Sequence, residues 1–276
     1  MRYRVLIIVP LVVAAVYVAV CLAIGDGPAR RPFMRAEIET VKALALIGCW
    51  AAAFRFGRND YLRWAWLLNG LCYFFLLARD AIFIPGFLGH GRGIDYMEGG
   101  VILTANVCSV VGTAIMARAW TVAGLEPPGT RIGRGTVIAI AIVISLAIAG
   151  PAVYVDFRNF ISGAPVSLVG FASDLGDIVG FCLIAPVLLT ALALRGGSLM
   201  WPWSLFTASL LGWLFYDGTT LVGNNILHAD ALTVRTVSDV FRSLACLFAL
   251  SAGLAQRMAM ASSKAEATAS APSVAR

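Results

Sequence analysis

Eight apolar segments, each about as long as a membrane-spanning helix, follow one another along the chain and are separated by polar connections. A helix needs about 20 apolar residues to cross the hydrocarbon core of a bilayer. We therefore predict an all-α, polytopic transmembrane helix bundle of eight spans within residues 1–258. The predicted spans are 5–24, 38–56, 61–84, 101–122, 135–155, 166–194, 203–222 and 234–256.

The two ends of the chain need separate interpretation. The apolar run 5–24 is longer than the stretch of about 7–15 apolar residues in a signal peptide, so we interpret it as a retained first span. Residues 259–276 are rich in Ala and Ser and have no apolar periodicity. We expect them to form a disordered cytoplasmic tail.

The composition supports the membrane class. Hydrophobic residues make up 60% of the chain, charged residues only 13%, and the mean hydropathy is +0.85. A soluble domain is about half apolar and about a quarter charged. The net charge of +6 is spread over connections between apolar runs, which favours a lipid bilayer as partner and argues against nucleic acid.

The distribution of Lys and Arg predicts the orientation of the bundle. The connections on the side of the N-terminus, together with both termini, carry 12 of these residues, and the opposite connections carry six. Cytoplasmic loops are enriched in Lys and Arg, so we predict that both termini are cytoplasmic, with the protein in a bacterial inner membrane. The connection 25–37 opposes this prediction, because it holds three Arg on the outer side.

Two carboxylates lie inside the sixth predicted span. Asp174 and Asp177 are three residues apart, so they lie on one face of a helix. A charged side chain at the centre of a spanning helix costs about 2.5–3.5 kcal/mol on insertion scales. We therefore expect both carboxylates to face other helices or water rather than lipid.

Other polar residues are predicted at a similar depth, in the outer half of the membrane. With the two carboxylates above they define an outward-facing polar pocket, in which acids exceed cations by about three charges if all are ionised. Such a pocket should hold protonated acids, a cation or cationic ligand, or water. Asp80, Asp217 and Asp239 have an alternative interpretation as solvated residues or helix caps near the interface. The remaining pocket residues are Asp217, Arg79, Asp80, Asp239, Arg242 and Asn106.

Enzyme and cofactor motifs are missing from the sequence. It contains no Ser/His/Asp set, H-E-x-x-H or Walker motif, so we predict no catalytic residues and consider an enzyme the less favoured interpretation. The predicted spans hold no His for a haem, and the six Cys lie in apolar segments without C-x-x-C spacing. A retinal Schiff base needs a Lys in the middle of a span, whereas Lys42 is predicted near the start of a helix. We therefore predict neither a cofactor nor a metal site.

Residues 166–217 resemble the multi-helix bacterial membrane sensor regions found N-terminal to diguanylate cyclase and histidine kinase domains. The pattern consists of a span that opens with a small-residue Gly-Asp motif at 173–177, an Arg-Gly turn at 195–197, Trp-Pro-Trp at 201–203 and aromatic-Asp at 216–217. The resemblance implies a sensor module that passes its state to a signalling partner in the membrane or cytoplasm.

Three functional hypotheses follow. The first is a stand-alone sensory or ligand-binding membrane module whose acidic pocket binds a small ligand or cation. The second is a small-molecule or cation/proton-coupled transporter that uses the same acids as a relay. The third is a structural membrane subunit whose polar residues hold its helices together.

Overall fold

A computed structural model describes residues 2–83, 92–125, 128–163 and 168–269. These residues form α-helices joined by short turns, and no strand occurs among them. The helices are α1 (Arg2–Ile24), α2 (Arg30–Ala53), α3 (Tyr61–Ile82), α4 (Arg92–Ala117), α5 (Ala119–Val122), α6 (Arg131–Ile161), α7 (Leu168–Cys182), α8 (Ile184–Ala193), α9 (Met200–Asn225) and α10 (Ala231–Ala269). The all-α prediction is confirmed for the described part of the chain.

Six helical segments among the described residues are long and apolar enough to cross a membrane. The chain therefore has the character of a multi-pass, membrane-embedded protein. The two other long helices, α2 and α9, carry more polar residues. The six segments are Tyr3–Ile24, Tyr61–Ile82, Gly93–Val122, Arg131–Ile161, Gly170–Ala193 and Ala231–Ala261.

The packing of the helices forms a closed ring. Helix α10 packs against α9 and α2, α3 lies between α2 and α4, α4 contacts α7, and α8 contacts α9. Helix α1 lies outside the ring against α10, and α6 lies outside it mainly against α7. The ring of α2, α3, α4, α7–α8, α9 and α10 surrounds the interior in which the polar residues of the spans meet.

Glycines bring α10 close to its two neighbours in the ring. A Cβ atom on Gly253 would lie 2.1 Å from the carbonyl oxygen of Gly48 in α2, and a Cβ on Gly212 of α9 would lie 2.9 Å from Ala245. Small residues at helix contacts let backbones approach closely, which increases dispersion contacts where the hydrophobic effect between helices is weak. The polar α2 is thereby held directly against α10.

The sixth predicted span is broken into α7 and α8 where Pro186 predicts a kink. Helix α7 ends at Cys182, four residues before the proline, and the Leu183 amide donates to the carbonyl of Gly180 at 3.1 Å. A proline lacks the amide hydrogen and clashes with the carbonyl four residues earlier. The backbone therefore forms one tighter turn at Leu183, where α7 ends and α8 begins.

Two helices extend beyond their predicted ends. Helix α2 begins at Arg30, eight residues before the predicted start at 38, because Arg30 is anchored to Thr236 at 2.8 Å and Arg35 pairs with Glu39 one turn later at 2.7 Å. Helix α10 continues to Ala269, beyond the predicted end of the eighth span at 256, and the disordered tail stays a prediction. Alanine, frequent there, has the highest helix propensity. Residues 270–276 lie outside the described residues.

The start of α10 is fixed by a capping carboxylate. The Asp230 side chain accepts hydrogen bonds from the backbone amides of Leu232 and Thr233 at 3.0 and 2.9 Å. Hydrogen bonding by Thr233 favours the charged form and holds the pKa of Asp230 below its ordinary value. The cap therefore stabilises α10 at neutral pH, and this contribution is lost as the pH falls through the lowered pKa.

We expect Gly253→Ala to destabilise the bundle. The added methyl group would overlap the Gly48 carbonyl, so α2 and α10 must move apart at a cost of about 1–3 kcal/mol or more. Gly150→Ala in α6 is the matched control, because no heavy atom lies within 4 Å of its added Cβ. The measurement is the Tm of the detergent-solubilised protein, followed by tryptophan fluorescence. Equal Tm values for the two variants would contradict a close α2–α10 contact.

Candidate functional site

A cavity of about 180 Å³ lies inside the ring, and all six parts of the ring contribute to its wall. It contains both charged and aromatic side chains. The lining residues are Lys42 of α2; Asn69, Cys72, Tyr73, Leu76 and Arg79 of α3; Ile102, Asn106, Ser109 and Val110 of α4; Ser173, Gly176, Asp177, Gly180 and Phe181 of α7; Phe206, Ser209, Leu210, Trp213, Tyr216 and Asp217 of α9; and Arg242 of α10.

Two carboxylates approach this cavity from adjacent helices. Asp177 lies on α7 and Asp217 on α9, about 12 Å along the axis from the end of α9 at Asn225. The hydroxyl of Ser173, one turn before Asp177, donates to it at 3.4 Å. Within the ranges that the structure describes, neither carboxylate forms an ion pair. Each of these carboxyl groups is therefore either protonated or stabilised by a cation, hydrogen-bond donors or water in the cavity.

The position of Asp177 depends on a close contact between α7 and α4. A Cβ atom on Gly176 would lie 2.5 Å from the side-chain amide of Asn106, so only glycine allows this approach. The Asn106 amide nitrogen donates to the carbonyl of Ala172 at 2.8 Å and links the two helices. The glycine of the Gly-Asp motif therefore places the aspartate that follows it beside the cavity.

A network of ion pairs forms another part of the wall. The Lys42 ammonium lies 2.5 Å from Asp80, and Arg79 lies 3.2 Å from Asp80 and 2.7 Å from Glu98. Lys42 is only 4% exposed, so its charge is compensated inside the bundle rather than by solvent. This network joins α2, α3 and the beginning of α4.

The third cation of the cavity is held by α9 and α10. Arg242 donates a hydrogen bond to Asp239 one turn earlier, and its guanidinium carbon lies 5.1 Å from the centroid of the Tyr216 ring. Asp239 is 1% exposed, and Arg235 approaches its second oxygen at 3.7 Å. Such a cation–π contact fixes the guanidinium against the cavity wall.

A further buried carboxylate supports the contact of α2 with α10. Both oxygens of Glu37 lie within hydrogen-bond distance of the Ser243 hydroxyl, at 2.8 and 2.9 Å. Ser243 lies one residue after Arg242, so this contact fixes α2 beside the arginine. Glu37 is the last residue of the connection 25–37 in the predicted topology and is not among the predicted pocket residues.

Asp174 lies outside the wall of the cavity but close enough for its charge to act on the acids that line it. The wall contains Asp177 and Asp217 and not Asp174. The charge of Asp174 acts on both Asp177 and Asp217, and the charge of Asp156 of α6 acts on Asp174. Asp174 is half-buried, three residues before Asp177 on α7.

Two cations near the expected pocket have surroundings that the sequence did not indicate. Arg79 pairs with Asp80 and Glu98, which compensate its charge. Lys42 is not near a helix start, because α2 begins twelve residues earlier, and it lines the cavity. Its position was misjudged because the first turns of α2 are polar and were assigned to a loop.

The sum of charges defines what the cavity can bind. Lys42, Arg79 and Arg242 are balanced by their partners Asp80, Glu98 and Asp239, which leaves the carboxyl groups of Asp177 and Asp217 without an ion-pair partner among the described residues. A carboxylate in a low-dielectric interior is stabilised by a cation, by hydrogen-bond donors or by water. The arrangement therefore suits a small molecule that carries a positive charge or several donors.

Metal and retinal sites find no support in the geometry. The described residues contain no group of three His, Cys, Asp or Glu side chains that could hold a metal ion, and His90 lies outside them. The central location of Lys42 removes the sequence argument against a Schiff base. However, its ammonium pairs with Asp80, and a cavity of 150 Å³ holds benzene, so one of 180 Å³ is too small for the much longer retinal chain.

Comparisons of the chain with protein-family models, curated proteins and solved structures find no match.

We expect Asp80→Asn to destabilise the protein far more than Glu39→Gln. The first change leaves the buried Lys42 ammonium without its partner, which typically costs about 3–5 kcal/mol. The second removes a pair whose side chains are 40% and 38% exposed, which is worth at most about 1 kcal/mol. Thermal unfolding in detergent measures both. A Tm of Asp80→Asn within the range of Glu39→Gln would show that the Lys42 charge does not depend on Asp80.

Proposed function

We propose that this chain is a stand-alone sensory module of the membrane that binds a small cationic ligand in the central cavity and passes its occupancy to a partner protein. The observation that carries the proposal is the pair Asp177 and Asp217, two carboxyl groups that form no ion pair among the described residues and line one cavity together with side chains from six helices. The resemblance of residues 166–217 to bacterial sensor regions supports the same interpretation.

We include α2 and α9 among the spans, which gives eight. They contain 24 and 26 residues, and a helix of 24 residues is about 36 Å long, enough for a hydrocarbon core of about 30 Å. Their low hydropathy has a structural cause, because Lys42 and Asp217 face the cavity rather than lipid. Polar residues in spans commonly face a bundle interior.

Eight spans place both termini on one side of the membrane. The excess of Lys and Arg on that side, 12 against six, supports cytoplasmic termini and insertion in a bacterial inner membrane. The three Arg between residues 25 and 37, which opposed this orientation, belong to the first turns of α2. They remain an exception to the orientation, because the rule counts Lys and Arg rather than net charge.

The volume of the cavity limits the size of the ligand that it can hold. An apolar cavity of about 150 Å³ accommodates benzene, so one of about 180 Å³ suits a compact molecule with a single charged group. Aromatic side chains, among them Trp213 and Tyr216, supply apolar and π surfaces beside the acids. A small organic ammonium compound matches both features, because aromatic faces and carboxylates each attract such cations.

Binding at these acids would act on two separate parts of the ring. Asp177 belongs to α7, which packs chiefly on α4 and α6, whereas Asp217 belongs to α9, which packs chiefly on α10. A cation between them favours arrangements in which α7 and α9 are close, and ligands shift such equilibria by their differential affinity. The break between α7 and α8 allows α7 to move without α8.

The packing next to the cavity favours ligand binding over transport. Toward the other end of the ring the interior is filled by Trp66, Trp203 and Met116, all fully buried. Trp66 packs edge-on against Phe206 with ring centroids 5.8 Å apart, and the Trp203 indole donates to the Met116 carbonyl at 3.3 Å. A transporter would have to open this aromatic layer, whereas a sensor needs only one access side.

We expect Asp177→Asn to reduce the response to small ammonium compounds. The probes are methylammonium, guanidinium and choline, and the measurement is the rise in Tm of the protein in detergent. A ligand at 100 times its Kd stabilises by about 2.7 kcal/mol. The wild type should show a rise with at least one probe, and the variant should lose most of it, because it removes one of the two unpaired charges.

Asp95→Asn provides the control, since Asp95 is exposed in the first turn of α4 and does not line the cavity. It should respond like the wild type. A wild-type response in Asp177→Asn would remove the carboxylate from the site. Uptake of a labelled probe into proteoliposomes, lost in the same variant, would instead favour the transporter.

A further inference from the structure

A second cavity, of about 280 Å³, lies between the last turns of α9 and the first turns of α10. It is situated at the end of the bundle where these two helices are connected. Unlike the central cavity, its wall is mainly hydrophilic. The polar residues that line it, apart from two discussed next, are Thr220, Asn224, Arg235, Ser238 and Asp239. We call it the α9–α10 vestibule.

The vestibule and the central cavity share a wall. Tyr216 and Arg242 line both of them, and the guanidinium carbon of Arg242 lies 5.1 Å from the Tyr216 ring centroid. These two side chains lie about 14 and 17 Å along their helices from Asn225 and Ala231. Among the described residues no others line both spaces, so a rearrangement of this pair would join them.

Polar atoms at the shared wall have unsatisfied hydrogen-bonding capacity. Oδ2 of Asp239 and Nε of Arg242 are buried and have no hydrogen-bond partner among the described residues. Nε of Arg235 is 3.7 Å from Oδ2 of Asp239, which is too long for a hydrogen bond. Buried polar groups in proteins are almost always hydrogen-bonded to protein or water. The wall therefore suits hydration and the passage of polar groups.

The charges of the vestibule do not prevent the entry of a cation. Arg242 is compensated by Asp239, and the side chain of Arg235 is 56% exposed, so solvent screens its charge. Asp217 adjoins Tyr216 in sequence and lies on the central side of the wall. A cation that passes the wall therefore meets an uncompensated carboxylate directly behind it.

An entrance from the lipid is the alternative, and it is less well matched. An apolar groove of about 160 Å³ between α6 and α8–α9 shares Phe181 with the central cavity. Phe181 is 3% exposed and packs in the main hydrophobic cluster. The only polar residue lining the groove, Ser145, donates its hydroxyl to Ala141 at 2.7 Å. The groove thus offers a charged group no partner.

We propose that the α9–α10 vestibule is the entrance to the central cavity, with the Arg242–Tyr216 contact as the barrier. The ligand of the central cavity is then a water-soluble cation taken from the aqueous phase, not a lipid-soluble amphiphile taken from the bilayer. This inference rests on the proposed function for the nature of the ligand. The route itself can be tested without any ligand.

Cys72 supplies a reporter for the route, because it lines the central cavity and is 7% exposed. The probe is the cationic aminoethyl methanethiosulfonate, applied to the full chain in proteoliposomes. All variants are made in a protein that carries Cys108→Ser and Cys182→Ser, which removes the two partly exposed thiols. The same protein with Cys72→Ser added is the control for labelling at other sites. Labelling is followed by mass spectrometry, and the Tm of every variant shows that it is folded.

A matched pair of bulky substitutions distinguishes the two routes. Asn224→Trp narrows the vestibule and Ile140→Trp narrows the apolar groove, and both residues are exposed, so the bundle should accept either change. We expect Asn224→Trp to slow labelling of Cys72 about tenfold, the effect of a barrier higher by about 1.4 kcal/mol, and Ile140→Trp to leave it unchanged. Tyr216→Leu, which removes the ring beneath Arg242, should accelerate labelling.

Slower labelling in Ile140→Trp and not in Asn224→Trp would overturn the proposal in favour of entry from the lipid. Equal rates in these two variants, or an unreactive Cys72 even in Tyr216→Leu, would also overturn it. The result is independent of the proposed function. Normal labelling together with no Tm response to any ammonium probe would contradict cation binding and leave the entrance in place.

Discussion

Compensation of buried charge is the constraint on which this structure depends. A helix bundle in a membrane offers a low dielectric, so each ionised group inside it needs a partner within the bundle. Lys42, Arg79 and Arg242 each have one, in Asp80, Glu98 and Asp239, and these pairs connect α2 with α3, α3 with α4, and successive turns of α10. Among the described residues, Asp177 and Asp217 have no such ion-pair partner. The stabilising network and the candidate binding site are therefore two parts of one charge distribution.

The ring makes this distribution possible by placing two unusually polar helices away from lipid. Helices α2 and α9 flank α10, and the glycine contacts at Gly253 and Gly212 bring their backbones close to it. Close approach increases dispersion contacts where apolar side chains gain little from leaving lipid. The peripheral helices α1 and α6 are apolar around most of their circumference and contribute little to the cavity. Close backbone contact thus offsets the low hydropathy of α2 and α9, which carry polar side chains that line the cavity.

The central cavity, the α9–α10 vestibule and the aromatic layer form a sequence along the bundle interior. Hydrophilic side chains line the vestibule, Arg242 and Tyr216 separate it from the acids, and Trp66 and Trp203 fill the interior beyond them. If the interior is entered only from the vestibule end, as proposed, this arrangement suits the detection of a solute better than its passage across the bundle. The break between α7 and α8 lies beside the cavity, where a ligand held by α7 and α9 would exert its effect.

Composition and apolar segment length by themselves determined the all-helical, membrane-like class, and helical spacing placed Asp174 and Asp177 on one face of a helix. These are local properties, set by bilayer thickness and by 3.6 residues per turn. Partners between distant segments were decided only by the tertiary structure. Lys42 was misplaced because its helix begins with charged turns that resemble a loop, and Asp174 lies outside the cavity wall although Asp177, three residues later, is part of it. Which faces of the helices meet depends on backbone contacts such as that between Gly176 and Asn106, and a one-dimensional pattern does not contain such distances.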